Sequence, residues 1–165
     1  MKIIHETDTL VFGQEEDQVR ALGLTVILGC LTAEYGGTKL FTFAESVRSP
    51  ISTGQYGILY ERADAKAVSL MPVAFVTWAY LSKAAEVVFS NWLRPLHPTE
   101  WKCGPHFWLM DLVAPLGHAK ELQIAIGETV GADYEEYHRM TSSNGKMRRG
   151  KLRNVTKRGH KDLPE

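Results

Sequence analysis

Cysteine is scarce in this chain: of 165 residues only Cys30 and Cys103 carry a thiol, and they lie far apart. Neither sits in a CxxC or other metal-ligand spacing, which argues against a zinc centre and leaves reduced, intracellular thiols as the expectation. Net charge is missing too. Nineteen lysines and arginines balance nineteen aspartates and glutamates, so any charge-driven role has to come from a local cluster. No apolar run approaches membrane-spanning length, and residues 1–6 lack the charged start, apolar core and small-residue cleavage site of a signal peptide. A cytoplasmic location is expected. Internal repeats and low-complexity linkers are also absent from the sequence.

What is present fits one ordinary soluble domain, at roughly 100–200 residues per domain. The charge balance hides an asymmetry, because Arg139, Lys146, Arg148, Arg149, Lys151, Arg153, Lys157, Arg158 and Lys161 crowd the end of the chain. We therefore read residues 1–145 as the domain and 146–165 as a basic tail. A solvated terminus is the default for such a run. Binding to DNA, RNA or another acidic partner is the alternative, and no interleaved aromatics support it.

The most informative residue is Asp111. It stands in the middle of the apolar stretch 107–117, which reads as a buried strand ending at Pro115 and Gly117. Burying a carboxylate is costly unless it is paired or functional. Two readings stay open: a structural carboxylate held by backbone N–H groups or an arginine, or a site carboxylate near the carboxyl end of a strand, where α/β sheets place their chemistry.

Along the chain, Val19, Leu22, Val26, Cys30 and Ala33 recur at helical spacing, with Glu15, Glu16 and Asp17 at the favoured amino end, predicting a helix of about five turns over 14–34. Gly36 and Gly37 are its expected stop. The segment 39–47 fits helix or strand, with a loop around Ser49, Pro50 and Gly54. Residues 56–61 and 71–80, rich in β-branched and aromatic side chains, predict an antiparallel pair at the heart of a sheet. Ser82 is placed to cap a helix running toward Trp92, and 119–130 predicts another, with Leu122, Ile126 and Val130 on one face. Late strands over 134–140 and 151–155 would flank an Asn144-Gly145 turn. The order predicts a mixed α/β layer fold.

Specific residues go further than periodicity. Leu22-Gly23, Phe43-Ala44, Gln55-Tyr56, Pro72-Val73-Ala74-Phe75 with Trp78-Ala79 and Leu81-Ser82, then Trp101, Gly104, Trp108 and Asp111 with Ala114-Pro115-Leu116-Gly117, resemble the RTX toxin-activating lysine acyltransferases. The likeness covers roughly residues 22–117. It implies a GNAT-like fold with a largely antiparallel central sheet flanked by helices. It also implies an enzyme that moves a fatty acyl chain from acyl carrier protein to internal lysines of an RTX-type protoxin, with no bound cofactor beyond that donor. Family members are often homodimers. The family's proposed catalytic pair is a histidine at the end of the first helix and the aspartate matched here by Asp111. The same gap-free register puts Tyr35 at the histidine position, and residues 32–37 lack the family's Pro and Trp. An insertion at 65–70 separates the paired strands.

Acyl transfer to lysine needs a neutral amine, donors for the developing oxyanion and a proton for the leaving thiolate. Tyr35 cannot be a base at neutral pH in the way a histidine is, since a phenol titrates near 10, but its hydroxyl is able to protonate a thiolate or orient the thioester. A tyrosine packing at a helix end is the structural alternative. Another histidine that fills the gap would be His118, one loop beyond Asp111, ahead of His97, His106 and His138, with His5 and His160 at the termini. Trp78, Trp101 and Trp108 read as core aromatics for the most part, and Trp78 or Trp108 is the candidate to line an acyl pocket. A catalytically altered relative that binds a carrier or target without turnover is the second functional reading.

Overall fold

A computed structural model describes residues 2–3, 8–12, 17–32, 35, 37–62, 70–91, 95–134, 136–143 and 146–153. Trp92, most of the 65–70 insertion, the Asn144-Gly145 turn, His5, His160 and the tail from 154 lie outside the described residues. The paired strands expected at the centre are there: β3 (Tyr56–Arg62) and β4 (Leu70–Leu81) run antiparallel, and Tyr56 faces Thr77 across the ladder. Around them, β1 (Lys2–Ile3), β2 (Asp8–Phe12), β5 (His106–Val113), β6 (Glu136–Ser143) and β7 (Lys146–Arg153) complete a seven-stranded sheet in sequential order. Every neighbouring pair is antiparallel except β5–β6, which is parallel and joined at Trp108–His138 and Leu109–Arg139. This is the mixed α/β fold with a largely antiparallel central sheet that the sequence predicts. The hairpin β6–β7 draws Lys146–Arg153 into the sheet, so the boundary expected at residue 145 falls inside a paired unit.

The helices divide between the two faces. α1 (Gln18–Cys30) and α2 (Leu40–Ser52) share a buried cluster with Ile58, Phe75 and Val113. On the same face, α3 (Lys83–Ser90) places Ala85 against Ala79, Leu81 and Trp108. α4 (Ala119–Glu128) covers the other face, where Leu122, Ala125 and Ile126 meet Val76, Trp78, Phe107 and Leu109. Each fully buried Leu or Ile there contributes about 1.5–3 kcal/mol.

Asp17, expected inside the first turn, instead caps α1 by accepting from the Val19 and Arg20 amides, so the helix starts at Gln18; Ser82 caps α3 by accepting from Ala85 N–H, as its residue type predicts. The buried face of α1 differs from the predicted one. Ala21, Thr25, Leu28 and Gly29 face inward, while Val19 is 81% exposed and Cys30 is exposed. Apolar residues lie all round this helix, so packing decides the matter: an added Cβ on Gly29 would come within 2.6 Å of Phe43, a closeness that small residues alone permit. α1 also ends at Leu31, well before Gly37, with the Thr32 hydroxyl donating to the Gly29 carbonyl. The ambiguous segment is helix, and α2 runs past Ser49 and Pro50 because both Pro50 and Ile51 are buried.

Two sets of hydrogen bonds hold the loop before β5 against the end of β4. The side-chain amide of Gln55 donates from Nε2 to the Trp78 and Trp101 carbonyls, and Cys103 and Gly104 N–H both donate to the Tyr80 carbonyl. A Cβ at Gly104 would lie 2.5 Å from backbone atoms of Ser82. Gly104→Ala is therefore expected to lower stability by about 1–3 kcal/mol or more, read as a reduced urea midpoint at unchanged m-value. On the α4 face, burial foremost and the nearby Tyr134 next raise the Tyr80 phenol above its usual value, and burial raises Tyr134, with Asp133 adding to it. Stability from these protonated phenols is whole below about pH 10, the unfolded value, and is lost as pH rises through the higher folded values. Urea midpoints between about pH 8 and 11 should fall more gently in a Tyr80→Phe, Tyr134→Phe variant.

Candidate active site

Asp111 lies on β5, two residues from its carboxyl end, and a bulge decides which way it points. Thr77 of β4 pairs with Asp111, but Trp78 pairs with Leu109, so Met110 is an extra residue in β5. With strict alternation Asp111 would follow Phe107 and Leu109 onto the α4 face. The surplus residue returns it to the other face, in step with Val113 and opposite Thr77.

On that face the carboxylate is held by hydroxyls. Tyr35, in the connection between α1 and α2, donates from Oη to Asp111 Oδ1 at 2.7 Å. Thr77, fully buried, donates from Oγ1 to Asp111 Oδ2 at 2.6 Å and accepts from the Asp111 amide at 3.1 Å. The Tyr35 ring leans on Phe43 with centroids 4.8 Å apart, and Phe43 in turn meets Phe75 of β4. The aspartate and the tyrosine, 76 residues apart in sequence, thus meet in a partly buried pair. Among the described residues no arginine or lysine pairs with Asp111, so the structural ion pair that the sequence left open is not formed there.

The other candidates sit elsewhere. His118 precedes α4, and its Nε2 is 3.8 Å from Glu61 Oε2. Glu61 alternates with Tyr60 and Ile58 and so belongs to the α4 side of the sheet, opposite to the Asp111 carboxylate. Trp78, Trp101 and Trp108 are 3%, 6% and 0% exposed. Trp78 packs on the α4 side, while Trp108 lies between the edge of Phe89 and the stacked ring of His138. His138 approaches the buried Glu86, with Nδ1 3.8 Å from Oε1. Among the described residues no group of three or more His, Cys, Asp and Glu side chains could hold a metal, and no helix is long and apolar enough to cross a membrane. Thr77 fills the Ser/Thr position ahead of Trp78-Ala79 in the motif, but nothing in the sequence ties its hydroxyl to Asp111.

Residues 14–152 match the RTX toxin acyltransferase family. A leukotoxin-activating lysine acyltransferase of Pasteurella haemolytica-like sp. (strain 5943B) is 34% identical over 79 residues, 48% of this chain and 44% of that protein. A protein-lysine myristoyltransferase of Kingella kingae is 32% identical over 101 residues, 61% of this chain and 56% of that one. The chain thus spans about half the length of these curated relatives. Among solved structures, "histone acetyltransferase HPA2 and related acetyltransferase" from Corynebacterium glutamicum aligns with a TM-score of 0.42 at 12% identity, over 83% of this chain and 78% of that one. With a match running from before α1 into β7 and taking in both Tyr35 and Asp111, the chain belongs to the RTX toxin acyltransferase family.

Proposed function

We propose that this protein moves a fatty acyl group from acyl carrier protein to a lysine side chain of a target protein, an RTX-type protoxin in the first instance. Asp111 and Tyr35 handle the proton. The observation that carries the reading is the 2.7 Å hydrogen bond from Tyr35 to Asp111, because it sets a proton-bearing group on the carboxylate, Tyr35 being the residue that the resemblance aligns with the family's histidine. Family membership supports the reaction class.

Amide formation from a thioester makes a C–N bond, breaks a C–S bond and moves one proton from nitrogen to sulfur. A phenol, with an ordinary pKa near 10, is a poor base by itself at neutral pH. As a relay it does not need to ionise first: the phenolic oxygen takes the proton of the attacking amine while its own proton passes to Asp111 Oδ1. The proton then returns through Tyr35 to the departing thiolate, and both side chains end as they began. In this reading the thioester lies beside Asp111, beyond Leu109–Arg139, the last rung between β5 and β6 among the described residues.

The replacement of the family histidine by Tyr35 also favours a second reading, a relative that binds carrier protein without turnover. One assay separates the two. Incubation with acylated carrier protein and an RTX-type protoxin should give a mass gain on lysine, whereas carrier binding with no mass gain establishes the second reading. General acid–base groups contribute about 10²–10⁴-fold. Asp111→Asn and Tyr35→Phe should each lower transfer by that order, and Tyr35→His should keep or raise it. Wild-type turnover in both of the first two variants would overturn the assignment of the pair.

A further inference from the structure

We infer that Thr77 is the positioning residue of this site: its hydroxyl clamps Asp111 at both the side chain and the backbone, so that Oδ1 is presented to Tyr35. The hydroxyl has one proton to give and lone pairs to receive with. Both capacities are engaged on a single residue, since it donates to Oδ2 at 2.6 Å and accepts from the Asp111 N–H at 3.1 Å. A side chain held at one carboxylate oxygen and at its own amide has little rotational freedom left about its first two torsions.

The setting makes the clamp necessary. At the bulge the regular ladder is interrupted, with Thr77 facing Asp111 and Trp78 facing Leu109. The Asp111 amide finds its acceptor in the threonine side chain at that interruption. Thr77 itself is fully buried in the central strand, between the Phe75 and Ala79 positions of the same face, so its own rotamer is fixed by packing. Rigid strand, hydroxyl and carboxylate form a chain in which only the last member, the Tyr35 contact, comes from a connecting segment. The two carboxylate oxygens consequently have different roles, Oδ2 being anchored and Oδ1 exchanging a proton.

The catalytic meaning of this inference rests on the acyl-transfer reading above, but its geometric content does not. Two variants and two measurements keep them apart. Thr77→Val retains the β-branched shape and removes the hydroxyl, and Thr77→Ser restores the hydroxyl. Crystal structures should show the Tyr35–Asp111 hydrogen bond lost in Thr77→Val and retained in Thr77→Ser. In the lysine transfer assay, kcat of Thr77→Val should fall roughly 10- to 100-fold, the scale that an ångström of misplacement costs, with KM for acylated carrier protein nearly unchanged. Thr77→Ser should recover to within a few-fold of wild type. An unmoved carboxylate in Thr77→Val overturns the inference whether or not the wild type transfers acyl groups. Loss of kcat in Thr77→Ser equal to that in Thr77→Val, with both folded, overturns it as well. A wild type without turnover defeats the acyl-transfer reading alone, since the structures still decide the clamp.

Discussion

One surplus residue in β5 governs the site. Because side chains alternate along a strand, the insertion of Met110 opposite the Thr77–Trp78 step transfers Asp111 from one face of the sheet to the other. Everything that distinguishes Asp111 from an ordinary buried acid follows from that transfer. On its actual face it meets two hydroxyls and the α1–α2 connection, and on the opposite face it would have met the apolar underside of α4.

The helices on that face serve the same end. Gly29 lets Phe43 of α2 close on α1, and Phe43 supports the Tyr35 ring from behind. The seat of the tyrosine is thus made by a small residue in one helix and an aromatic in the next. Asp111 is seated by β-structure, which is why the two halves of the pair are so far apart in the chain. The family match covers both halves.

Much of this architecture is legible in the sequence. The β3–β4 pair, the capped α3 and the amphipathic α4 follow from periodicity and capping residues, and Asp111 stands out because a lone carboxylate in an apolar strand has to be accounted for. Tyr35 emerges from the register of the resemblance. Other features have no residue signature. A bulge needs no particular side chain, so Met110 reads as an ordinary strand residue, and His118, close in sequence, belongs to a face that Asp111 does not share. Thr77 is marked in the sequence only as the Ser/Thr of the motif, which does not say what partner its hydroxyl takes. The inward face of α1 escapes periodicity because hydropathy ranks Val19 above Ala21, whereas close approach of a second helix rewards the smaller residue.

The narrow junction of β5 with β6 bears on how this protein can change over evolutionary time. Two rungs of the ladder, the His138 ring on Trp108 and its approach to Glu86 are among the contacts that join the β6–β7 hairpin to the remainder of the sheet. An appendage attached over so narrow a front can change length, charge or sequence with little effect on the strands that seat Asp111.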